Sequence, residues 1–141
     1  EDRLVEAYAR IRDGKKIDNE LATRADAVVI PEEVNNLFLA RMEKLAPFGI
    51  QNPKPVFLLR EVSVREVFRF GKGREHLKLK IDVNGGRKNI DAVTFFVKGA
   101  ASRVANSLAQ GSRVNILAHI ERDTFSHGNP VRLRLLDIRL I

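Results

Sequence analysis

Three histidines, His76, His119 and His127, are the side chains best suited to acid–base or metal chemistry near neutral pH. None stands in an H-E-x-x-H or other paired-histidine spacing. On the strand pattern His76 and His119 fall at outward positions and His127 in a loop, where solvation or a hydrogen bond accounts for them. Asp91, Asp123 and Asp137 are scattered, without the close-set carboxylates that hold a hard divalent cation. The chain has no cysteine, hence no thiolate nucleophile, no zinc–thiolate site and no disulfide. No serine sits in a nucleophile elbow, and no G-x-x-x-x-G-K-[ST] loop is present. Gly71-Lys72-Gly73-Arg74 has glycines and cations, but no helix follows it, so it reads as a basic loop. The expectation is a chain with no catalytic residues, no metal ligands and no cofactor of its own.

A second constellation points to binding. Arg69, Phe70, Lys72, Arg74, His76, Lys78 and Lys80 crowd one stretch, and Phe125, His127 and Asn129 another. Cations neutralise phosphates, and aromatic faces stack on unpaired bases. The charge distribution agrees. The net charge is +7, but residues 1–53 carry 8 Lys/Arg against 10 Asp/Glu, a net of −2. Residues 54–141 carry 17 against 8, a net of +9. Basic charge confined to one module is the footprint of a polyanion binder, although a basic surface also serves solubility.

Positioning these side chains needs a scaffold, and the hydrophobic pattern describes one. Leu4, Val5, Tyr8 and Ile11 recur at helical spacing between Asp2 and Asp13. Lys15 to Thr23 is polar and shows no clear period. Ala25 to Ile30 reads as a buried strand whose partners lie upstream of residue 1. Pro31-Glu32-Glu33 reads as a helix start, with Val34, Leu37, Phe38, Arg41, Met42 and Leu45 continuing the stripe. Pro47, Gly49, Pro53 and Pro55 then form a stiff corner, since each proline fixes its own φ and pushes the preceding residue toward extended geometry.

Beyond the corner the pattern changes to strands. Val56 to Phe70 is one long strand, bent and bulged near Glu66-Val67. After the Gly71–Gly73 turn, Leu77, Leu79, Ile81 and Val83 alternate with His76, Lys78, Lys80 and Asp82. Asn84-Gly85-Gly86 is a hairpin signal, and Asn89 to Val97 a third strand in which one of Phe95 and Phe96 must face outward. Ala100 to Ala109 is a helix with Gly111 past its end. Arg113 to Arg122 and Val131 to Arg139 are two more strands, joined by a loop over Asp123–Pro130.

The order β-β-β-α-β-β with a bent first strand is that of the OB-fold, a five-stranded Greek-key barrel, here mainly β with flanking helices. Another small barrel with an inserted helix is the alternative. The expected organisation is a short helical or α+β segment over 1–46, a proline-rich joint over 47–55 and the OB domain over 56–141. The missing initiator Met and the opening inside a helical pattern make a piece of a longer protein the expectation. An OB-fold grips its ligand across strands two and three and in the loops between strands one and two and strands four and five. Arg69, Phe70, Lys72, Arg74, His76, Lys78, Lys80, Phe125 and His127 fall at those places. Phe70 and Phe125 can instead cap the barrel ends, and the lysines can be plain solvated cations. Arg132 and Arg134 can lie on the far side of the barrel or face the preceding segment. Phe48 and Phe57 read as packing residues of the joint.

Leu45-Ala46-Pro47-Phe48-Gly49-Ile50-Gln51-Asn52-Pro53-Lys54-Pro55-Val56-Phe57 resembles the L-x-P-F-G-x-x-N-P-x-P-x-F signature of RecJ-type single-strand-specific exonucleases. His76-Leu77-Lys78-Leu79 resembles that family's H-L-K-L element, and Asp137-Ile138-Arg139 its D-I-R close. The resemblance implies a 5′-to-3′ exonuclease, a hydrolase acting on single-stranded DNA in recombination and repair. It also implies a DHH catalytic domain using manganese or magnesium and a DHHA1 domain with a G-G-H motif. Neither the acidic metal motifs nor G-G-H occurs here, so the chain resembles the tail of the DHHA1 domain followed by the OB domain. Family members often carry tryptophan in the loop before the last strand, and Phe125 stands there in this chain. The expectation is a non-catalytic module that binds single-stranded DNA, located in the cytoplasm. The alternative is a protein-interaction module docking the tail of a single-strand-binding protein or the exonuclease core. No apolar run has membrane-spanning length, so no membrane partner is expected.

Overall fold

The computed structural model describes residues 19–45, 48–49, 52–95, 97 and 99–141. The helix expected over Asp2–Asp13 lies outside the described residues, as does Pro47 of the proline corner. The elements are α1 (Asn19–Arg24), β1 (Ala27–Val28), a 3-10 turn (Pro31–Glu33), α2 (Asn36–Glu43), β2 (Phe57–Phe70), β3 (His76–Val83), β4 (Lys88–Thr94), α3 (Gly99–Ser107), β5 (Arg113–Arg122) and β6 (Val131–Leu140).

Strands β2 to β6 close on themselves. The order is β2-β3-β4-β6-β5, and β5 returns to pair with β2. Neighbours run antiparallel except β4 and β6, which are parallel through Ala92↔Leu133 and Val93↔Arg134. This is the expected five-stranded mixed barrel, with α3 between the third and fourth barrel strands. Its interior is filled by alternate residues. Leu77, Leu79 and Ile81 of β3, Ile116 and Ala118 of β5 and Leu133 of β6 are all fully buried. That period-two burial is what the sequence alternation requires of a sheet with one wet face.

Closure depends on β2. Its first half pairs with β5 and its second half with β3. The register breaks twice, between Leu59 and Val62 and between Val64 and Glu66. The sequence predicts one bulge near Glu66-Val67; it lies at Arg65, and a second one precedes it. At the first break Glu61 has φ 52, and its backbone leaves the ladder. The buried Asn115 accepts the Glu61 amide at 2.8 Å, and Arg113 Nη2 donates to the Glu61 carbonyl at 2.9 Å. At the second break Arg65 Nε donates to Asp82 at 2.8 Å and Arg65 Nη2 to the Gly86 carbonyl. At Glu61 side chains thus replace the ladder bonds that the kink removes, and at Val64 the backbone of Ser112 and Gly111 does so, through bonds of 2.8 and 2.7 Å.

Two expectations before the barrel need correcting. The strand over Ala25–Ile30 has a partner downstream, within this chain. Ala27 and Val28 pair in parallel with Phe57 and Leu58, the start of β2. The helix does not begin at Pro31. Pro31–Glu33 is one 3-10 turn, and α2 starts after Asn35, whose side chain accepts the Phe38 amide at 3.0 Å as an N-cap. The break rotates the stripe, so Phe38, Leu39 and Met42 are buried while Leu37 and Leu45 are exposed. Ala27, Val29, Val34, Phe38, Leu39 and Met42 join Phe57 and Leu59 in the core cluster of the barrel. Phe38 and Phe57 meet edge to face at 5.5 Å. Leu21 and Val28 cover Leu58 and Leu117 on the outer side of the β2–β5 seam. In the corner between these parts Gly49 and Asn52 exchange backbone bonds of 2.7 and 3.1 Å.

Replacing Asn115 by Ala leaves the part-buried Glu61 amide without its acceptor. The expected cost is about 1–3 kcal/mol of stability, read as a lower urea midpoint.

Candidate nucleic-acid interface

The outer face of β2, β3, β4 and β6 follows from the register. Residues directly opposite each other share a face. Phe70 opposes His76, Phe68 opposes Lys78, and Glu66 opposes Lys80. Across the next seam Lys78 opposes Val93 and Lys80 opposes Asp91. Val93 then meets Arg134 of β6, and Arg134 meets His119 of β5. One continuous surface therefore carries Phe68, Phe70, His76, Lys78, Lys80, Asp91 and Arg134. Phe95, just past β4, joins it.

At one end of this face lies an aromatic cluster. Phe70, His76 and Phe95 approach pairwise with ring centroids 5.1–6.0 Å apart. The guanidinium of Arg134 lies 4.6 Å from the centroid of Phe95. Gly71 permits the arrangement. Its φ is +90, and a Cβ there would stand 2.5 Å from Cδ2 of His76. Phe68, Phe70 and Phe95 are partly exposed. The pair Phe95 and Phe96 is ambiguous in sequence; Phe95 is an outward one, and Phe96 lies outside the described residues. Sequence reasoning misses Phe68 and Arg134. Alternation across Glu66, Phe68 and Phe70 is a usable signal for Phe68. Arg134 is on the face only through the parallel β4–β6 pairing, which no local pattern encodes.

The expected residues divide into groups. Phe70, His76, Lys78 and Lys80 are brought together on the face. Lys72 and Arg74 are exposed in the β2–β3 turn beside it. Arg69 is on the other side of β2 from Phe70, and its guanidinium donates to Asn106 of α3 at 2.7 Å. Phe125 and His127 are exposed in the β5–β6 loop. At 94% exposure, Phe125 does not cap the barrel. His119 is held by a ring-nitrogen contact of 2.9 Å to the Pro55 carbonyl. Among the described residues no group of three or more His, Cys, Asp or Glu is placed to hold a metal ion, and no helix is long and apolar enough to cross a membrane.

A family model for the RecJ OB domain matches residues 25–137. The chain belongs to the RecJ OB domain family. It is 27% identical over 112 residues to the single-stranded-DNA-specific exonuclease RecJ of Bacillus subtilis (strain 168). That match covers 79% of this chain and 14% of the relative, so the chain spans a small part of that protein's length. Its fold is similar to that of RecJ from Thermus thermophilus, solved with Mn2+, at a TM-score of 0.56 and 18% identity, over 85% of this chain and 17% of that one. It is also similar to asparaginyl-tRNA synthetase from Pyrococcus horikoshii, at 0.55 and 17%, over 80% and 22%.

The RecJ OB domain holds its acidic groups tightly. Glu121 Oε2 accepts from Arg132 Nε at 2.7 Å and from Arg134 Nη2 at 3.0 Å. Burial alone raises the Glu121 pKa, but these hydrogen bonds outweigh it and hold it below the ordinary carboxylate value. Asp123 accepts the Ser126 hydroxyl at 2.5 Å and the amides of Phe125 and Ser126, which closes the base of the β5–β6 loop. The Ser126 hydroxyl, the Phe125 amide and the charge of Arg132 lower its pKa against burial. Burial raises the Asp137 pKa, but Arg24, the Ile138 amide and Arg139 together lower it more, with a net fall.

A folded pKa below the unfolded one means stability that is complete above the unfolded value and lost as pH falls through the folded value. Unfolding midpoints of the RecJ OB domain should be flat near neutrality and fall below about pH 4. The pair Glu121→Gln with Asp123→Asn should lower the midpoint at neutral pH and make the acid fall shallower. A second prediction concerns the turn. Gly71→Ala should cost about 1–2 kcal/mol from its positive φ alone, and should displace the His76 ring, seen as shifted ring resonances of His76 and Phe95.

Proposed function

We propose that this RecJ OB domain is a single-stranded-DNA-binding module of a 5′-to-3′ single-strand-specific exonuclease and contributes no catalytic group itself. The observation that carries the reading is the outer face on which Phe68, Phe70 and Phe95 interleave with His76, Lys78, Lys80 and Arg134. Unpaired bases offer π-faces to such aromatics, and the flanking cations lie within reach of a phosphate backbone. Lys72 and Arg74 extend the positive surface at one end. Phe125 and His127 project from the loop at the other end of the β6 ladder. Contacts of this kind favour single strands over duplex, whose bases are already stacked, and read little sequence. In a whole exonuclease the module would hold the substrate strand and feed one end toward a manganese- or magnesium-dependent centre in another domain. The name of the Bacillus subtilis relative supports the choice of single-stranded DNA as ligand.

Titration of the chain with oligothymidylate at several salt concentrations tests the proposal. Affinity should fall with a log–log slope of roughly −0.7 per phosphate neutralised. Phe95→Ala should weaken binding by on the order of 1–3 kcal/mol and leave that slope unchanged. Lys72→Met with Arg74→Met should weaken binding and flatten the slope. Undetectable binding of the strand at low salt, with tight binding of an acidic peptide instead, contradicts the reading.

A further inference from the structure

Asp91 stands in the middle of the proposed strand-binding face, and it occupies both β3 lysines expected to meet phosphate. Asp91 Oδ1 is 2.8 Å from Lys80 Nζ, and Asp91 Oδ2 is 3.7 Å from Lys78 Nζ. Each carboxylate oxygen thus faces a different ammonium, as two oxygens of one phosphate would. A carboxylate opposite a binding cation is an odd choice for a surface that only has to attract a polyanion. A second carboxylate, Glu121, is shared by Arg132 and Arg134, which both meet its Oε2. The two sites differ in burial. The Arg132 and Glu121 side chains are 11% and 17% exposed, and that pair fastens β5 to β6. Lys78, Lys80 and Asp91 are 37%, 28% and 24% exposed. Partly exposed pairs in a high-dielectric setting contribute little to folding and exchange partners readily. Two other acids lie on this face beside Lys80: Glu66, opposite it on β2, and Asp82, two residues on along β3 and paired with Arg65 at 2.8 Å.

We propose that Asp91 is an internal competitor for the DNA phosphates: it holds Lys78 and Lys80 in place when the face is empty, yields them to the strand, and recaptures them as the strand moves. The inference rests on the strand-binding reading above. Its consequence is a face that binds loosely and releases easily. A module feeding a strand toward a distant centre needs contacts of this kind, because a phosphate leaving the face is replaced by a carboxylate and the lysines are never stranded.

The test compares the unsubstituted chain with Asp91→Asn, with Asp91→Ser and with Glu61→Gln. Glu61 is an exposed acid at the β2–β5 seam, and its substitution makes the same change in net charge away from the face. Thermal melting verifies that each variant is folded. Stopped-flow binding of oligothymidylate is then read at several salt concentrations. Both Asp91 variants should bind about three- to tenfold tighter, through slower dissociation. Their log–log salt slope should steepen by roughly 0.7 for every further phosphate that the freed lysines neutralise. Glu61→Gln should change association slightly and dissociation not at all. Strand binding by the unsubstituted chain with unchanged or weaker binding by the Asp91 variants overturns this inference alone. An equal gain in the Glu61 variant also overturns it, since the effect is then net charge. No binding by the unsubstituted chain overturns the strand-binding reading and this inference together.

Discussion

A five-stranded sheet loses its free edges only when its first and last strands pair, and here the strand that closes the ring onto β5 is β2. Its halves pair with β5 and β3, so the chain must turn sharply twice within fourteen residues. Each turn takes backbone groups out of the ladder, and buried backbone groups without partners are costly. Asn115 and Arg113 supply the partners at Glu61, and Arg65 reaches Asp82 and Gly86 at the second kink. The same bends lay Phe68 and Phe70 beside Lys78 and His76 on the outside. Closure of the core and construction of the outer face are therefore one event. The preceding segment is tied to it as well, since β1 extends the sheet at Phe57 and Leu58 and α2 packs Phe38 on Phe57.

The electrostatics of the face are less lopsided than the net charge implies. Residues 54–141 carry the whole positive excess, yet the lysines of β3 share Asp91, and Arg132 and Arg134 of β6 share Glu121. Ion pairs hold the cations of the sheet in defined positions, and on the proposed reading the exposed cations of the β2–β3 turn would supply longer-range attraction. Orientation and attraction are thereby separated. The sheet presents geometry, and the turn presents charge. Aromatic stacking would then provide the part of binding that salt does not screen.

Much of the barrel is legible in the sequence because its strands carry strong local signals. Leu77, Leu79 and Ile81 alternate cleanly with polar residues, Asn84-Gly85-Gly86 marks a hairpin, and Arg113–Arg122 has the bounds its pattern predicts. What is not legible depends on contacts distant in sequence or on two signals competing locally. Pro31 with two acids imitates a helix start, but the turn closes on itself and Asn35 captures the true N-cap, which shifts the buried stripe by a residue. Ala27 and Val28 pair with a strand about thirty residues later, and no property of the dipeptide says so. The side of β2 that Arg69 occupies is hidden because the bulge at Arg65 resets the alternation after it. Arg134 needs the parallel pairing of β4 and β6, and Asp91 is one more scattered acid until β3 and β4 are laid side by side. The RecJ family signature in the corner and in the strands points to the domain without any of these contacts.

Backbone amide shift mapping with oligothymidylate tests the central claim most directly, because it reports where the strand lies and not only whether it binds. The account predicts perturbations along His76–Lys80, at Phe68, Phe70 and Phe95, near Arg134 and in the two loops around Lys72 and Phe125. Perturbations concentrated on α2 and the β2–β5 seam, with the β3–β4–β6 face silent, would contradict it.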